Sequence, residues 1–183
     1  MKTAFDANII ISALHVPVGA PFVDEPDHRC LSLVRQADPP RIAAPAWFEI
    51  VRCAQPEEQQ QLAALAPHVW IDDIDRQVLA RAVLLQQQAA SDGGALPIDV
   101  CQRCSNARDA TMCIGCRRLV RNRTRVVDYF VVASAECNPE ITILYSTDGS
   151  VLSMAGRVRS TLSIQRPPAS ASGALFERAA GGI

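Results

Sequence analysis

No window of this sequence stays apolar for the length of a membrane span. Its first residues also lack the basic-then-apolar order of a leader, because Lys2 is succeeded at once by a short strand-like stretch holding Asp6. A cytoplasmic protein is expected. An excess of charge is missing too: 18 Lys and Arg stand against 19 Asp and Glu, giving a net charge of -1 at pH 7 and a pI near 6.3. The chain as a whole therefore exerts no electrostatic pull on nucleic acid, and any anion-binding surface must be local. No glycine-rich phosphate loop follows the first strand-like stretch, which argues against a nucleotide-binding flavodoxin-like domain. There is no internal repeat. His15, His28 and His68 are scattered without ligand spacing and are assigned no chemistry.

What is present suffices for one domain. A chain of 183 residues with 49% hydrophobic content can build one core of ordinary size and is slightly short for two. Thr3-Ala4-Phe5, Asp6 and the run Ile9-Ile10-Ile11 read as a short buried strand passing into a helix, with Asp6 at the strand's carboxyl end. A Pro- and Gly-rich loop from Pro17 to Pro26 precedes a helix through Cys30, Leu31, Leu33 and Val34, which stops before Pro39-Pro40. Arg41 to Pro45 is expected to be a second strand. The spacing of Trp47, Ile50, Val51 and Ala54 is helical, and another helix should start near Pro56, with Glu57 and Glu58 in its first turn and Pro67 ending it. Val69-Trp70-Ile71 reads as a third strand. A long helix is expected from about Asp75 to Ala90, closed by Asp92-Gly93-Gly94.

From about Ala95 to Val126 the rhythm breaks, and an inserted module holds four cysteines and seven arginines. The pattern resumes with Asp128 heading a helix of small and apolar residues, then the strand Ile141 to Tyr145, with Asp148 just past its carboxyl end. A short helix at Val151 to Ala155 and a last strand at Leu162 to Ile164 follow. The expected layout is one domain over 1-166, carrying the insertion at about 95-126, and a tail over 167-183 whose Ala, Ser, Gly and Pro content reads as disordered. Alternating short apolar strands and helices point to a mainly parallel central sheet covered by helices on both faces. Ligands of such sheets sit beyond the strand carboxyl ends, where Asp6 and Asp148 are expected.

Four carboxylates stand out. Asp6 lies in Phe5-Asp6-Ala7-Asn8, Glu49 in Pro45-Ala46-Trp47-Phe48-Glu49, Asp128 before an apolar helix, and Asp148 in Ser146-Thr147-Asp148 after a strand. Taken singly, Asp128 could be a helix N-cap and Asp148 a turn residue. Glu49 among Trp47, Phe48, Ile50 and Val51, and Asp6 within its apolar passage, are harder to explain, because an unpaired buried charge is costly. In this order and on these elements, the four resemble the PIN-domain nuclease family.

That resemblance covers nearly the whole chain except the insertion and tail. It implies a PIN-like three-layer sandwich and a metal-dependent nuclease whose catalytic and metal-binding residues are Asp6, Glu49, Asp128 and Asp148, with Asn8 and Thr147 as supporting polar groups. The metal would be magnesium or manganese, because such hard cations prefer oxygen ligands and keep waters that can attack a phosphate. Single-stranded RNA is the substrate the resemblance favours, with an antitoxin or other protein partner and a homodimer as further implications. The spacing between Glu49 and Asp128 is longer than the family's usual one, stretched by the insertion. Asp72, Asp73, Asp99 and Glu136 are candidates for a fifth carboxylate, though each reads more simply as solvated surface charge.

The insertion has chemistry of its own. Cys101-Gln102-Arg103-Cys104 and Cys113-Ile114-Gly115-Cys116 form two Cys-x-x-Cys knuckles, a spacing that suits tetrahedral zinc. Four thiolates close the site, so its role is structural. Iron–sulfur ligation and paired redox cysteines are the alternatives, and neither knuckle sits in a thioredoxin-like strand-to-helix context. Cys30, Cys53 and Cys137 lie on apolar helical faces as core residues, and seven cysteines in all fit a reducing compartment. Arg117, Arg118, Arg121, Arg123 and Arg125 follow the second knuckle and run up toward Asp128. With seven arginines against two aspartates over 95-126, the insertion is basic by five charges and the rest of the chain carries -6. These arginines are the candidate RNA track. The competing reading is a non-catalytic adaptor that binds nucleic acid or protein through the zinc module, and metal-dependent RNA cleavage separates the two.

Overall fold

The computed structural model describes residues 2-91 and 126-169, with the side chains of 90 and 91 set aside. The four knuckle cysteines, Asp99, the five-arginine run and most of the tail lie outside the described residues.

The chain opens with β1 (Lys2–Phe5) and α1 (Ala7–Leu14), followed by α2 (Pro26–Gln36). Next come β2 (Arg41–Ala43), α3 (Ala44–Cys53) and α4 (Pro56–Leu65), then a 3-10 turn at Ala66–His68 and β3 (Trp70–Asp72). The second half holds α5 (Arg76–Ser91), α6 (Val126–Cys137), β4 (Ile141–Tyr145), α7 (Gly149–Leu152), a 3-10 turn at Ala155–Arg157 and β5 (Ser163–Gln165).

All five strands join one sheet in the order β3-β2-β1-β4-β5, and every pairing is parallel. Starting from β1, the chain steps outward through β2 to β3 and then returns to place β4 on β1's other side. For this strand order the right-handed crossover rule assigns the β1–β2 and β2–β3 connections to one face and the β3–β4 and β4–β5 connections to the other. The apolar strands supply the middle of the core, with Phe5, Ile42, Ile141 and Leu144 fully buried. Ile9, Ile10 and Ile50 meet them from α1 and α3, and Leu85, Val131 and Val132 from α5 and α6. Cys30 is in this core, where burial pushes its thiol up to about 11, while Cys53 and Cys137 are half-buried.

Several boundaries differ from the sequence reading. β2 stops at Ala43, and Pro45 belongs to the first turn of α3. A proline is pre-set for a helix's first turn, where its missing N–H costs nothing. α4 ends at Leu65, and Pro67 sits in the 3-10 turn beyond it. Asp128 does not head α6: it lies inside the first turn, two residues after Val126. The short helix after β4 begins at Gly149, capped by Asp148, earlier than the apolar residues suggested.

Candidate functional site

The sheet order creates a crevice. On one side of β1 the connections lead through β2, and on the other the sheet continues with β4, so the chain diverges at the carboxyl ends of these two neighbours. Open α/β sheets bind ligands at such a switch point. Asp6 follows β1 directly, and Asp148 lies three residues past the end of β4. The register brings the two ends level, with Phe5 opposite Tyr145 and the Asp6 amide donating to the Tyr145 carbonyl at 3.0 Å.

Asp6 is the N-cap of α1 and only 6% exposed. Its Oδ1 accepts from the Ala7 amide at 2.7 Å, and its Oδ2 accepts from the Ser146 hydroxyl, also at 2.7 Å. Burial opposes its charge and pushes its pKa up to about 6, against the downward pull of those two hydrogen bonds and with smaller upward contributions from Asp128 and Asp148. Asp6 therefore feels both other aspartates.

Two serines connect the three carboxylates. Ser146, fully buried, donates a hydrogen bond to Asp6 and accepts one from the Asp148 amide at 3.0 Å. Ser150 donates its amide to Asp148 Oδ1 at 2.8 Å and its hydroxyl to Asp128 Oδ2 in a short hydrogen bond. Asp128, 6% exposed, is thus held by a hydroxyl from another element and is not explained as a helix cap. Asp148 is exposed and does cap α7, and its Oδ2 has no hydrogen bond among the described residues.

The supporting groups are placed less evenly. Asn8, half-buried in α1, accepts from the Thr147 amide through Oδ1 at a long 3.4 Å, so Thr147 joins through its backbone while its side chain is exposed. Glu49 enters from the second turn of α3, the helix that follows β2. It is half-buried, and the serine-mediated bonds that join the three aspartates do not pass through it. The expectation that apolar neighbours bury Glu49 does not hold, since Phe48 is 67% exposed and Val51 50%. Ser150 was missed by sequence reasoning. The signal for it was present in Ser146-x-Asp148-x-Ser150, where alternate residues after a strand offer a hydroxyl, a carboxylate and a hydroxyl.

Two of the surplus carboxylates have structural partners. Asp72 pairs with Arg41, which also lies over the Trp70 ring at 5.3 Å. Glu136 receives Arg81 Nε at 2.6 Å and the Arg159 amide at 3.0 Å. Neither is the solvated surface charge expected of it, and neither joins the aspartates.

A divalent cation can be tested against this donor set. Among the described residues no three His, Cys, Asp or Glu side chains are already gathered to ligate one ion. The chemistry nevertheless suits a hard cation: three oxygen donors lie along one hydrogen-bonded chain, and the buried Asp6 charge is opposed by its surroundings. A carboxylate oxygen that accepts one hydrogen bond keeps further lone-pair capacity, so the serine bonds do not use up the ligands.

No family model matches the chain, and no curated protein matches it in sequence. Among solved structures it is similar to VapBC2 from Rickettsia felis, solved bound to a DNA fragment from their promoter. That match has 13% identity, covers 91% of this chain and 98% of that one, and has a TM-score of 0.52. FitAcB from Neisseria gonorrhoeae is matched at 12% identity over 90% of this chain and 97% of that one, with a TM-score of 0.48. The fold is a PIN-like α/β sandwich on an all-parallel five-stranded sheet. Among the described residues no helix is long and apolar enough to cross a membrane.

Proposed function

We propose that the chain is a metal-dependent endoribonuclease that hydrolyses the phosphodiester backbone of single-stranded RNA at the carboxyl edge of its sheet. One observation carries the reading: Asp6, Asp128 and Asp148, distant in sequence, are linked by two serines at the switch point between β1 and β4. Asp6, Glu49, Asp128 and Asp148 would hold magnesium or manganese. When bound, such an ion lowers the pKa of a water and neutralises charge on the departing 3′ oxygen.

The chain's own residues set the stage for that chemistry. Asp6 and Asp128 are buried, so an approaching phosphodiester meets exposed Asp148 first. Ser146 holds Asp6 Oδ2, and Asn8 holds the Thr147 backbone beside it, which fixes the turn between β4 and α7 against the start of α1. Products with a 5′ phosphate and a 3′ hydroxyl are expected.

The proposal extends to the insertion. Cys101, Cys104, Cys113 and Cys116 would hold one structural zinc, and Arg117, Arg118, Arg121, Arg123 and Arg125 would contact RNA. A protein partner of the antitoxin kind and a homodimer also belong to it, in keeping with the VapBC2 likeness, whose structure was solved on promoter DNA.

The test is cleavage of end-labelled single-stranded RNA by the purified chain with manganese or magnesium. Activity should vanish with a chelator and in Asp6→Asn and Asp128→Asn, each of which keeps shape while removing a charge. Wild-type turnover in either variant would sink the assignment. Metal-independent RNA binding without cleavage by the wild type would favour the adaptor reading instead.

A further inference from the structure

Ser150, in α7, links that short helix to α6 at the level of the carboxylates. Its backbone amide serves Asp148 Oδ1 and its hydroxyl serves Asp128 Oδ2. A serine hydroxyl has a single proton. Here that proton is committed to Asp128, so the hydroxyl selects one arrangement of a carboxyl group that is only 6% exposed.

From this geometry, and resting on the nuclease reading above, we propose that Ser150 is a positioning residue. Its hydroxyl fixes Asp128 relative to Asp148 so that both can engage one divalent cation. The two halves of its contact are chemically separable, because replacement by alanine removes the hydroxyl but leaves the amide that caps Asp148. Only the hydroxyl contact to Asp128 is lost. Outer partners of metal-ligating carboxylates orient them, and losing such a partner costs on the order of 10–100-fold in metal affinity or activity.

Ser153 supplies the control. It caps the end of the same short helix, and its hydroxyl donates to the Ser150 carbonyl at 2.7 Å, a backbone atom rather than a carboxylate. If the effect came from loosening α7, either serine's loss would produce it, whereas loss of the Asp128 contact follows only from that of Ser150.

The experiment measures manganese binding by calorimetry on the full chain, alongside steady-state cleavage of RNA. Ser150→Ala should weaken manganese binding by about tenfold or more and lower kcat by a similar factor, leaving KM for RNA within about twofold. Ser150→Thr, which returns a hydroxyl, should restore both. Ser153→Ala should match the wild type. Manganese affinity and kcat unchanged in Ser150→Ala, with an active wild type, would overturn the positioning role and leave the nuclease reading standing. Equal losses in Ser150→Ala and Ser153→Ala would also overturn it, by assigning the effect to the helix. A wild type that binds no manganese would overturn both.

Discussion

The Ser146 hydroxyl donates to Asp6 Oδ2 at 2.7 Å, across 140 positions of sequence. This contact exists because β1 and β4 are parallel neighbours with level ends, so the residues that follow each strand meet. It also gives Asp6 part of the compensation a buried carboxylate needs. The compensation is incomplete, since burial still raises the Asp6 pKa from an ordinary 3.8 to about 6.

That shift has a consequence for stability whose direction follows from proton linkage. Between about pH 4 and pH 6 the folded chain binds a proton at Asp6 that the unfolded chain has already released. Asp6 therefore favours folding most at low pH, and this contribution is lost as pH rises through 6, amounting to roughly 3 kcal/mol for a shift of about two units. Asp6→Asn removes the charge but satisfies its two donors less well, which offsets part of the gain by about 1 kcal/mol. In metal-free buffer the variant should be more stable than the wild type at pH 8, with the advantage gone at pH 4. Urea unfolding at the two pH values checks this, and a wild-type-to-variant difference that does not change with pH would contradict it.

Glu136 should behave in the opposite way to the site aspartates. It ties α5 to α6 through Arg81, whose Nη2 also reaches the Arg157 carbonyl at 2.6 Å, and it accepts from the Arg159 amide. Arg159 in turn donates to the carbonyls of Ala135, Asn138 and Ile141. Glu136→Gln leaves Arg81 largely buried without its counter-charge and should cost about 3 kcal/mol of folding stability. Cleavage per folded molecule should persist. A variant of wild-type stability would show that the ion pair contributes nothing.

The strands and the parallel sheet were legible because short apolar runs such as Ile141 to Tyr145 separate helical spacings so clearly. The burial of Asp6 was legible because a charge inside an apolar passage has no cheap explanation. Glu49 misled in its surroundings: Trp47, Phe48 and Val51 read as a burying shell, yet Phe48 and Val51 face outward. Composition around a residue does not say which side of a helix is covered. Ser150 was only half legible: its spacing after Asp148 marks it as a polar neighbour, but not what it holds. The partner of its hydroxyl is Asp128, 22 residues away on another element, and the local spacing does not encode that meeting. The start of α3 fell two residues before its expected place, because a proline such as Pro45 fits a helix's first turn as well as a strand's end.

Replacing Cys101 and Cys104 by Ser should release one zinc per chain. Two thiolates cannot close a tetrahedral site, and the elements that flank the insertion form their core contacts among themselves, so the loss should stay local. Elemental analysis of the purified wild type should find one equivalent of zinc, with the double variant retaining the thermal unfolding of the main domain. Absence of zinc from the wild type, with all seven thiols free to react, would reject the assignment.

The last prediction concerns how an acidic body could grip RNA. Outside residues 95-126 the chain carries a net -6, which repels a phosphate backbone, while the insertion is basic by five charges. Arg121, Arg123 and Arg125 run up to Val126, where α6 begins, and Asp128 lies in that helix's first turn. Tethering alone therefore keeps these arginines within a few residues of the proposed metal ligands. If they neutralise phosphates, exchanging all three for Gln should weaken RNA binding whatever its sequence and flatten the salt dependence. The log–log slope should fall by roughly 0.7 for each phosphate of the single strand that is no longer neutralised. The rate at saturating substrate should change far less, because the carboxylates are untouched and the removed interaction acts equally on bound substrate and transition state. Binding measured across a salt series decides the matter: a slope identical to the wild type's would remove this run from the RNA path, and a collapse of kcat at unchanged KM would move it into the chemistry.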